Sequence, residues 1–246
     1  MRYFIKLAYN GTHYHGWQSQ PNAITVQETL EKALSLLFKT SIQLVGAGRT
    51  DSGVHATEMF AHFDFPDLLD SDFWVPKLNS YLPKDIVIYN ILSVEADAHA
   101  RFDATSRTYE YYINSFKDVF LNDQSWYHHH PLDIEKMNEA AAYLLNYSDF
   151  ECFSKTNTDV FTYNCKISEA FWQKKDNQLL FTITADRFLR NMVRAIVGTL
   201  VNIGQGKMEV TQMKTIIESK NRSEAGFSAP AHGLYLTRIK YPYLSE

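Results

Sequence analysis

Residues 41–65 read SIQLVGAGRTDSGVHATEMFAHFDF, which predicts a strand, a glycine-rich loop and a second strand. The strands are expected at 41–45 and 58–65, on either side of the loop 46–56. The three glycines of this loop allow positive φ and let another backbone or a ligand come close. Arg49 and Asp51 are therefore placed for contact with a ligand, as charged residues on rigid loops often are. The alternative is a turn in which Asp51 bonds its own backbone, and the spacing matches no phosphate-binding loop.

The N-terminal part of the chain predicts a β-α-β-β-α-β order around this loop. Residues 2–9 alternate in the manner of a strand. Residues 25–28 read Thr-Val-Gln-Glu, a capping box, and apolar residues at helical spacing follow, so a helix is expected to begin here. A helix over 74–81 and a strand over 86–94 complete the order, which is typical of a ferredoxin-like unit.

The second half of the chain again mixes strands with helices. Asp133 is the expected N-cap of a helix over 134–145. The remaining elements are predicted as strands over 108–115, 167–173, 179–185 and 235–241 and helices over 188–201 and 211–219. We therefore predict an α+β protein of two ferredoxin-like or RRM-like halves, with mainly antiparallel sheets flanked by helices. The predicted domains are residues 1–100 and 101–246.

The composition favours a globular protein without secretory or membrane signals. The 246 residues are 45% hydrophobic and 14% aromatic, and no apolar run reaches the roughly 18 residues of a spanning helix. The first residues lack a long apolar stretch with a cleavage signature. Cys152 and Cys165 suit a reducing compartment as free thiols. We expect a soluble cytoplasmic protein.

Charge is distributed unevenly along the chain. The formal net charge is −4, which mildly disfavours nucleic acid as a partner. Residues 58–99, however, hold eight acidic and two basic residues, whereas residues 155–222 hold eleven basic and six acidic ones. A basic C-terminal half could supply a phosphate-binding face on a protein that is acidic overall.

Two further residues could carry chemistry. Arg194 lies in the apolar segment 192–197, where a buried charge must find a partner or reach water. Arg194 either forms an ion pair or extends its side chain along the surface to reach water, in line with Arg187 and Arg190 at helical spacing. Tyr109 lies on a predicted strand, where the alternative to a role with a ligand is packing in the core.

The loop 46–56 resembles the nucleophile loop of the TruA family of tRNA pseudouridine synthases. The resemblance extends over nearly the whole chain, because further motifs occur in the family's order at residues 9–12, 16–22, 25–28, 107–111, 188–194 and 230–236. The departures are small. Asn10 replaces a commoner aspartate, Ser52 stands where alanine is frequent, and Arg190 stands where histidine often lies.

The resemblance implies a cofactor-independent isomerase that converts uridine to pseudouridine at tRNA positions 38, 39 and 40, in the anticodon arm. It implies that Asp51 is the catalytic nucleophile and that Arg194 is its ion-pair partner. It also implies that Tyr109 stacks on the target base and takes part in proton transfer. Arg49 would stabilise the everted nucleotide, and Leu234 would form the apolar floor of the base pocket. Family members act as homodimers, with one tRNA spanning both subunits.

Other functions stay open at this point. A related synthase with broader or different RNA targets would carry the same catalytic residues. A noncatalytic RNA-binding paralogue would not need Asp51, Tyr109 and Arg194 together. A small-molecule glycosidase is disfavoured because no second carboxylate accompanies Asp51 in its loop. We expect no metal, since the three histidines at 128–130 would point to alternate faces of a strand.

Overall fold

A computed structural model describes residues 1–156 and 160–244. The chain divides into two compact units. The first unit contains Met1–Thr105 and Leu236–Glu246, and the second contains Ser106–Tyr235. No helix in the described ranges is both long and apolar enough to cross a membrane.

The first unit is built on a mainly antiparallel sheet. Strand β1 (Arg2–Tyr9) pairs antiparallel with both β3 (His55–Asp64) and β4 (Ile86–Val94). The short strand β2 (Val45–Gly46) pairs with β3, and β9 (Leu234–Lys240) lies next to β3 on its other side. The order of strands across this part of the sheet is therefore β4-β1-β3-β9.

Two helices flank this sheet. Helix α1 (Val26–Phe38) begins where the sequence predicts, and the Thr25 hydroxyl accepts from the backbone N–H of Glu28 at 3.3 Å. Helix α2 (Ser71–Tyr81) begins three residues before the prediction, because the Asp70 side chain accepts from the backbone N–H of Asp72 and caps it.

The predicted strand over 41–45 is largely wrong, since only Val45 belongs to β2. Side chains of α1 take the backbone donors that a neighbouring strand would have used. The N–H of Ile42 donates to Ser35 Oγ at 2.8 Å, and the N–H of Leu44 donates to Glu31 Oε1 at 2.8 Å. Residues 41–44 therefore run along the helix rather than in the sheet.

The second unit contains the remaining strands and helices. Strand β8 (Gln178–Ala185) lies between β5 (Ser106–Asn114) and β7 (Ile167–Lys175), antiparallel to both. A short strand that sequence analysis did not identify, β6 (Trp126–Tyr127), pairs parallel with β5. The helices of this unit are α3 (Ile134–Tyr143), α4 (Met192–Gly204) and α5 (Gln212–Ser219). The predicted α+β class, with mainly antiparallel sheets flanked by helices, is confirmed.

Helix α4 begins four residues later than predicted. Asn191 has a φ of 65°, in the left-handed region, so a regular helix cannot run through it. Arg187 and Arg190 therefore precede the helix and do not continue the helical row of Arg194.

The C-terminal residues return to the first unit, which contains the chain from Leu236 onward. The N–H of Ile239 donates to Glu58 Oε1 at 2.8 Å, and the Tyr241 hydroxyl donates to the Ala100 oxygen at 2.5 Å. The Tyr241 ring meets Phe4 edge-on, with 5.2 Å between ring centroids. These long-range contacts are not encoded in local sequence.

Cys152 and Cys165 are free and buried, as expected from the sequence. Burial raises the pKa of each thiol to about 12, so both side chains stay protonated at neutral pH.

Two asparagines on helices form hydrogen bonds with the edge strands in the same way. Asn79 of α2 donates from Nδ2 to the Ile88 oxygen at 2.8 Å, and its Oδ1 accepts from the Ile88 N–H at 2.8 Å. Asn138 of α3 makes the same pair of bonds with Trp172 of β7, at 3.0 and 2.6 Å. A primary amide offers the donor and acceptor of a peptide group, so each asparagine replaces one residue of a missing neighbouring strand.

Asn138→Ala should lower the free energy of unfolding by about 2 kcal/mol, because it leaves a donor and an acceptor of Trp172 without their partner. Urea denaturation measures this loss. Asn146→Ala is the control, since Asn146 is exposed and donates to the Ala142 oxygen of α3 at a long 3.4 Å. It should change stability by less than about 0.5 kcal/mol. Equal losses in the two variants would show that the amide pair at the edge adds nothing.

Candidate active site

The glycine-rich loop of the first unit is tied to the sheet at its start and closed by a turn at its end. The N–H of Ala47 donates to the Phe60 oxygen at 2.8 Å. The N–H of Val54 donates to the main-chain oxygen of Asp51 at 3.1 Å, and Gly53 between them has a φ of 78°. This β-turn needs a glycine at its third position.

A second segment supports the loop from behind. The N–H of Trp17 donates to the Thr50 oxygen at 3.2 Å, and the N–H of Gly53 donates to the Tyr14 oxygen at 3.2 Å. Gly16 has a φ of 86°, and a Cβ on it would collide with the Thr50 oxygen. The buried hydroxyls of Thr50 and Tyr9 share a hydrogen bond of 2.8 Å. Three hydrogen bonds thus hold the residues on both sides of Asp51, and Gly16 packs closely against the Thr50 oxygen.

Burial alternates along the central residues of the loop. Thr50 is buried, whereas Arg49 is exposed and Asp51 is half-buried. With Thr50 turned inward as the anchor, the two charged residues are left accessible to a ligand. Arg49 Nε donates to Gln18 Oε1 at 3.1 Å. Gln18 lies in the motif 16–22, but sequence analysis gave it no role in orienting Arg49.

Two histidines of the first unit serve the backbone. His55 Nδ1 accepts from the N–H of Gly11 at 3.0 Å, and His62 Nδ1 accepts from the N–H of Ala100 at 3.1 Å. Burial lowers the pKa of His62 to about 4, with the neighbouring His99 contributing in the same direction. Both side chains therefore support the main chain of the first unit.

In the second unit, Tyr109 is half-buried in β5. It pairs in register with Ile183 of β8, and its ring meets Phe188 edge-on, with 5.1 Å between ring centroids. Tyr111, two residues along the strand, is fully buried. Tyr109 therefore lies where the buried core gives way to a partly accessible surface.

Arg194 is half-buried in the first turns of α4, among residues that are mostly buried. Its Nε donates to the Ala229 oxygen at 2.7 Å, and the N–H of Ala229 donates back to the Arg194 oxygen at 2.9 Å. Its positive charge opposes the burial that raises the pKa of Tyr111, and it also helps to lower the pKa of His232.

Leu234 is buried, with 5% of its surface exposed, and is the first residue of β9. It follows directly on a 3₁₀ turn at Ala231–Gly233. The second unit thus contains Tyr109, Arg194 and Leu234, whereas the first contains Arg49 and Asp51 in one loop. The ion pair between Asp51 and Arg194 joins residues of different units and stays a prediction.

The three consecutive histidines lie just after β6 rather than within a strand. His128 is buried, with its Nε2 at 2.7 Å from Gln205 Nε2, whereas His129 and His130 are exposed. Across the part of the chain that the structure describes, no group of three or more histidine, cysteine, aspartate or glutamate residues could hold a metal ion.

Comparison with known proteins gives full-length matches. A family model described as tRNA pseudouridine synthase matches residues 6–103 and 140–242. The chain is 56% identical to tRNA pseudouridine synthase A of Porphyromonas gingivalis over 245 residues, which cover 98% of this chain and 97% of the relative. The corresponding protein of Bacteroides fragilis is 55% identical over 243 residues, covering 98% and 96%. That of Acetivibrio thermocellus is 41% identical over 237 residues, covering 96% and 97%.

The family model matches four of the five candidate residues but not Tyr109. Arg49 and Asp51 lie in the first matched range, and Arg194 and Leu234 lie in the second. Tyr109 lies between the two ranges, so its assignment depends on the motif 107–111 alone.

Gly16→Ala should lower the free energy of unfolding by about 2 kcal/mol or more, because the new methyl group meets the Thr50 oxygen at a strained φ. The matched control is Gly48→Ala in the loop itself. Apart from Gly48 and its two chain neighbours, no atom of the described residues lies within 4 Å of a Cβ on Gly48, and its φ is not positive. We expect that control to stay within about 0.5 kcal/mol of wild type in urea denaturation. Equal destabilisation by both would argue that Gly16 does not support the loop.

Proposed function

We propose that this chain, which belongs to the tRNA pseudouridine synthase family, modifies uridines 38, 39 and 40 in the anticodon arm of tRNA. Members of the family are isomerases that convert uridine to pseudouridine. The proposed nucleophile is Asp51. The observation that carries the proposal is the loop around Asp51. A half-buried carboxylate stands on a backbone that hydrogen bonds hold on both sides. Such a group reacts without first being ordered.

The proposed reaction rearranges one nucleotide and needs no co-reactant. The bond between ribose C1′ and N1 of uracil breaks, the base rotates, and a bond forms between C1′ and C5. The proton on C5 leaves and N1 gains one, so atoms and electrons balance without a cofactor. A carboxylate suits this chemistry because C1′ loses electron density as the first bond breaks. Three routes remain for Asp51: attack on C1′, addition to the base, or removal of the proton on ribose C2′.

Arg194 has the role of ion-pair partner to Asp51 in this proposal. An arginine keeps its charge at any working pH, so it would hold the carboxylate ionised and oriented. The bond from Arg194 Nε to the Ala229 oxygen supports this role, because it fixes the guanidinium group in one orientation. The pairing itself rests on the family resemblance.

The base would be held by Tyr109 and Leu234. An aromatic ring can stack on uracil, and a phenol can take part in removing the proton from C5. The edge-on contact with Phe188 supports the first role, because it leaves a ring in β5 with a fixed orientation. Leu234 would supply an apolar surface beneath the base.

The RNA would bind through phosphate contacts, to which the second unit contributes. Lys155 and Arg190 are exposed next to each other there, since the N–H of Lys155 donates to the Arg190 oxygen at 3.0 Å. With Arg187 they form part of the basic stretch 155–222. The proposal also includes a homodimer acting in the cytoplasm, with one tRNA contacting both subunits, as in the family.

Asp51→Asn should abolish pseudouridine formation while leaving folding and tRNA binding almost unchanged, because the amide keeps the shape of the carboxylate without its charge. Release of tritium from C5-labelled uridine in tRNA measures turnover, and mapping of pseudouridine in tRNA from cells that lack the protein tests the sites. Asp70→Asn is the matched control, since asparagine caps a helix as well as aspartate does. Turnover by Asp51→Asn above a few per cent of the wild-type rate would refute the assignment of Asp51 as the nucleophile. Normal pseudouridine at positions 38–40 in the deletion strain would refute the assignment of the target sites.

Arg49→Ala should be impaired on folded tRNA and partly rescued when the pairing partner of the target uridine is mismatched. Unstacking and unpairing a base costs a few kcal/mol, and a mismatch removes part of that cost. Asp51→Asn should gain nothing from the same mismatch, and the exposed Arg238→Ala serves as the surface-arginine control. Initial rates on matched and mismatched tRNA decide the question. Equal impairment of Arg49→Ala on both substrates would exclude a role in extracting the base.

A further inference from the structure

We propose that Tyr111 is a positioning residue for recognition of the uracil base, acting through the segment that leads into Leu234. This inference rests on the proposed function, because it takes Leu234 as part of the base pocket. The segment in question comprises residues 226–233, here called the strap. It ends at Leu234, the first residue of β9.

The first part of the strap is bound along helix α4. The N–H of Gly226 donates to Thr199 Oγ1 at 2.8 Å, and the Phe227 oxygen lies so close to Gly198 that a Cβ there would collide with it. Asn191 Nδ2 donates to Ser228 Oγ at 2.7 Å. Since residues 226–230 have no regular secondary structure, their polar groups depend on such partners.

The middle of the strap is held by Arg194. The two bonds between Arg194 and Ala229, at 2.7 and 2.9 Å, fix the main chain of Ala229 from both of its polar groups. Residues 230–233 follow Ala229 and connect this anchored point to Leu234.

Tyr111 supports residues 230–233 from strand β5. Its hydroxyl donates to the Pro230 oxygen at 2.8 Å. Its ring packs directly on Gly233, where an added Cβ would lie 2.7 Å from Tyr111 Cζ. One buried side chain therefore contacts the residues on both ends of the turn at Ala231–Gly233, and Leu234 follows immediately.

The hydroxyl is the part of Tyr111 that carries the inference. A phenylalanine would fill the same space but would leave the Pro230 oxygen without this donor. Burial raises the pKa of the Tyr111 hydroxyl well above its ordinary value, so it remains a donor at every working pH. Tyr109 lies two residues away on the same face of β5, so the strand that presents the stacking ring also sets the position of the apolar floor.

Tyr111→Phe tests the inference. We expect kcat to fall about tenfold, because small displacements of a recognition group are costly in a rigid site. KM for tRNA should hardly change, since phosphate contacts dominate affinity. Tyr241→Phe is the matched control, because it also removes a buried hydroxyl from a backbone oxygen, that of Ala100, at 2.5 Å. The melting temperature of Tyr241→Phe should fall by about as much as that of Tyr111→Phe, whereas its kcat should stay at the wild-type value.

Coupling with Leu234 separates positioning from a general loss of stability. In a Leu234→Ala background, adding Tyr111→Phe should lower kcat no further, because the group that Tyr111 positions is absent. The inference would be overturned by any of three results. These are an additive effect of the two substitutions on kcat, a kcat of Tyr111→Phe equal to that of Tyr241→Phe, and full activity of Leu234→Ala. An inactive wild-type protein would instead contradict the proposed function, so the two failures are distinguishable.

Discussion

The main-chain oxygen of Thr50 is the point on which the order of the candidate active site depends. It accepts the N–H of Trp17 and lies against Gly16, whose positive φ leaves no space for a side chain. The Thr50 hydroxyl is held separately by Tyr9. Because Thr50 is fixed in these two ways, its neighbours Arg49 and Asp51 stand on an ordered backbone before any ligand arrives. The entropy of ordering the loop is thus lost during folding and not during substrate binding.

In the second unit, hydrogen bonds fix residues 226–230, a segment that has no regular secondary structure. Helix α4 is buried on nearly all sides, and together with its N-cap residue Asn191 it binds residues 226–229, through Thr199 and Arg194. The guanidinium group of Arg194 thereby donates a hydrogen bond to the Ala229 oxygen, which offsets part of the cost of burying its charge. The guanidinium group that we propose as the partner of Asp51 is therefore also a support for the segment that leads to Leu234.

Side chains also complete the sheets where strands end. Asn79 of α2 and Asn138 of α3 each provide a donor and an acceptor to the edge strand of their own unit. Both units use this same arrangement. Its physical basis is general, because an unpaired edge must be covered or closed, and asparagine does this with a single side chain.

Local chemistry in the sequence determined much of this protein. Strand 86–94 and the helix after Thr25 follow from alternation and capping, which act between neighbouring residues, and the motifs around Asp51 indicate the family. Only the tertiary structure decided that residues 42–44 bond to helix α1, that Asn191 delays helix α4, and that residues after Tyr235 join the first unit. It also revealed the contact between Gln18 and Arg49 and that between Tyr111 and Pro230. These partners are far apart in the chain, so no local pattern encodes the hydrogen bonds that join them.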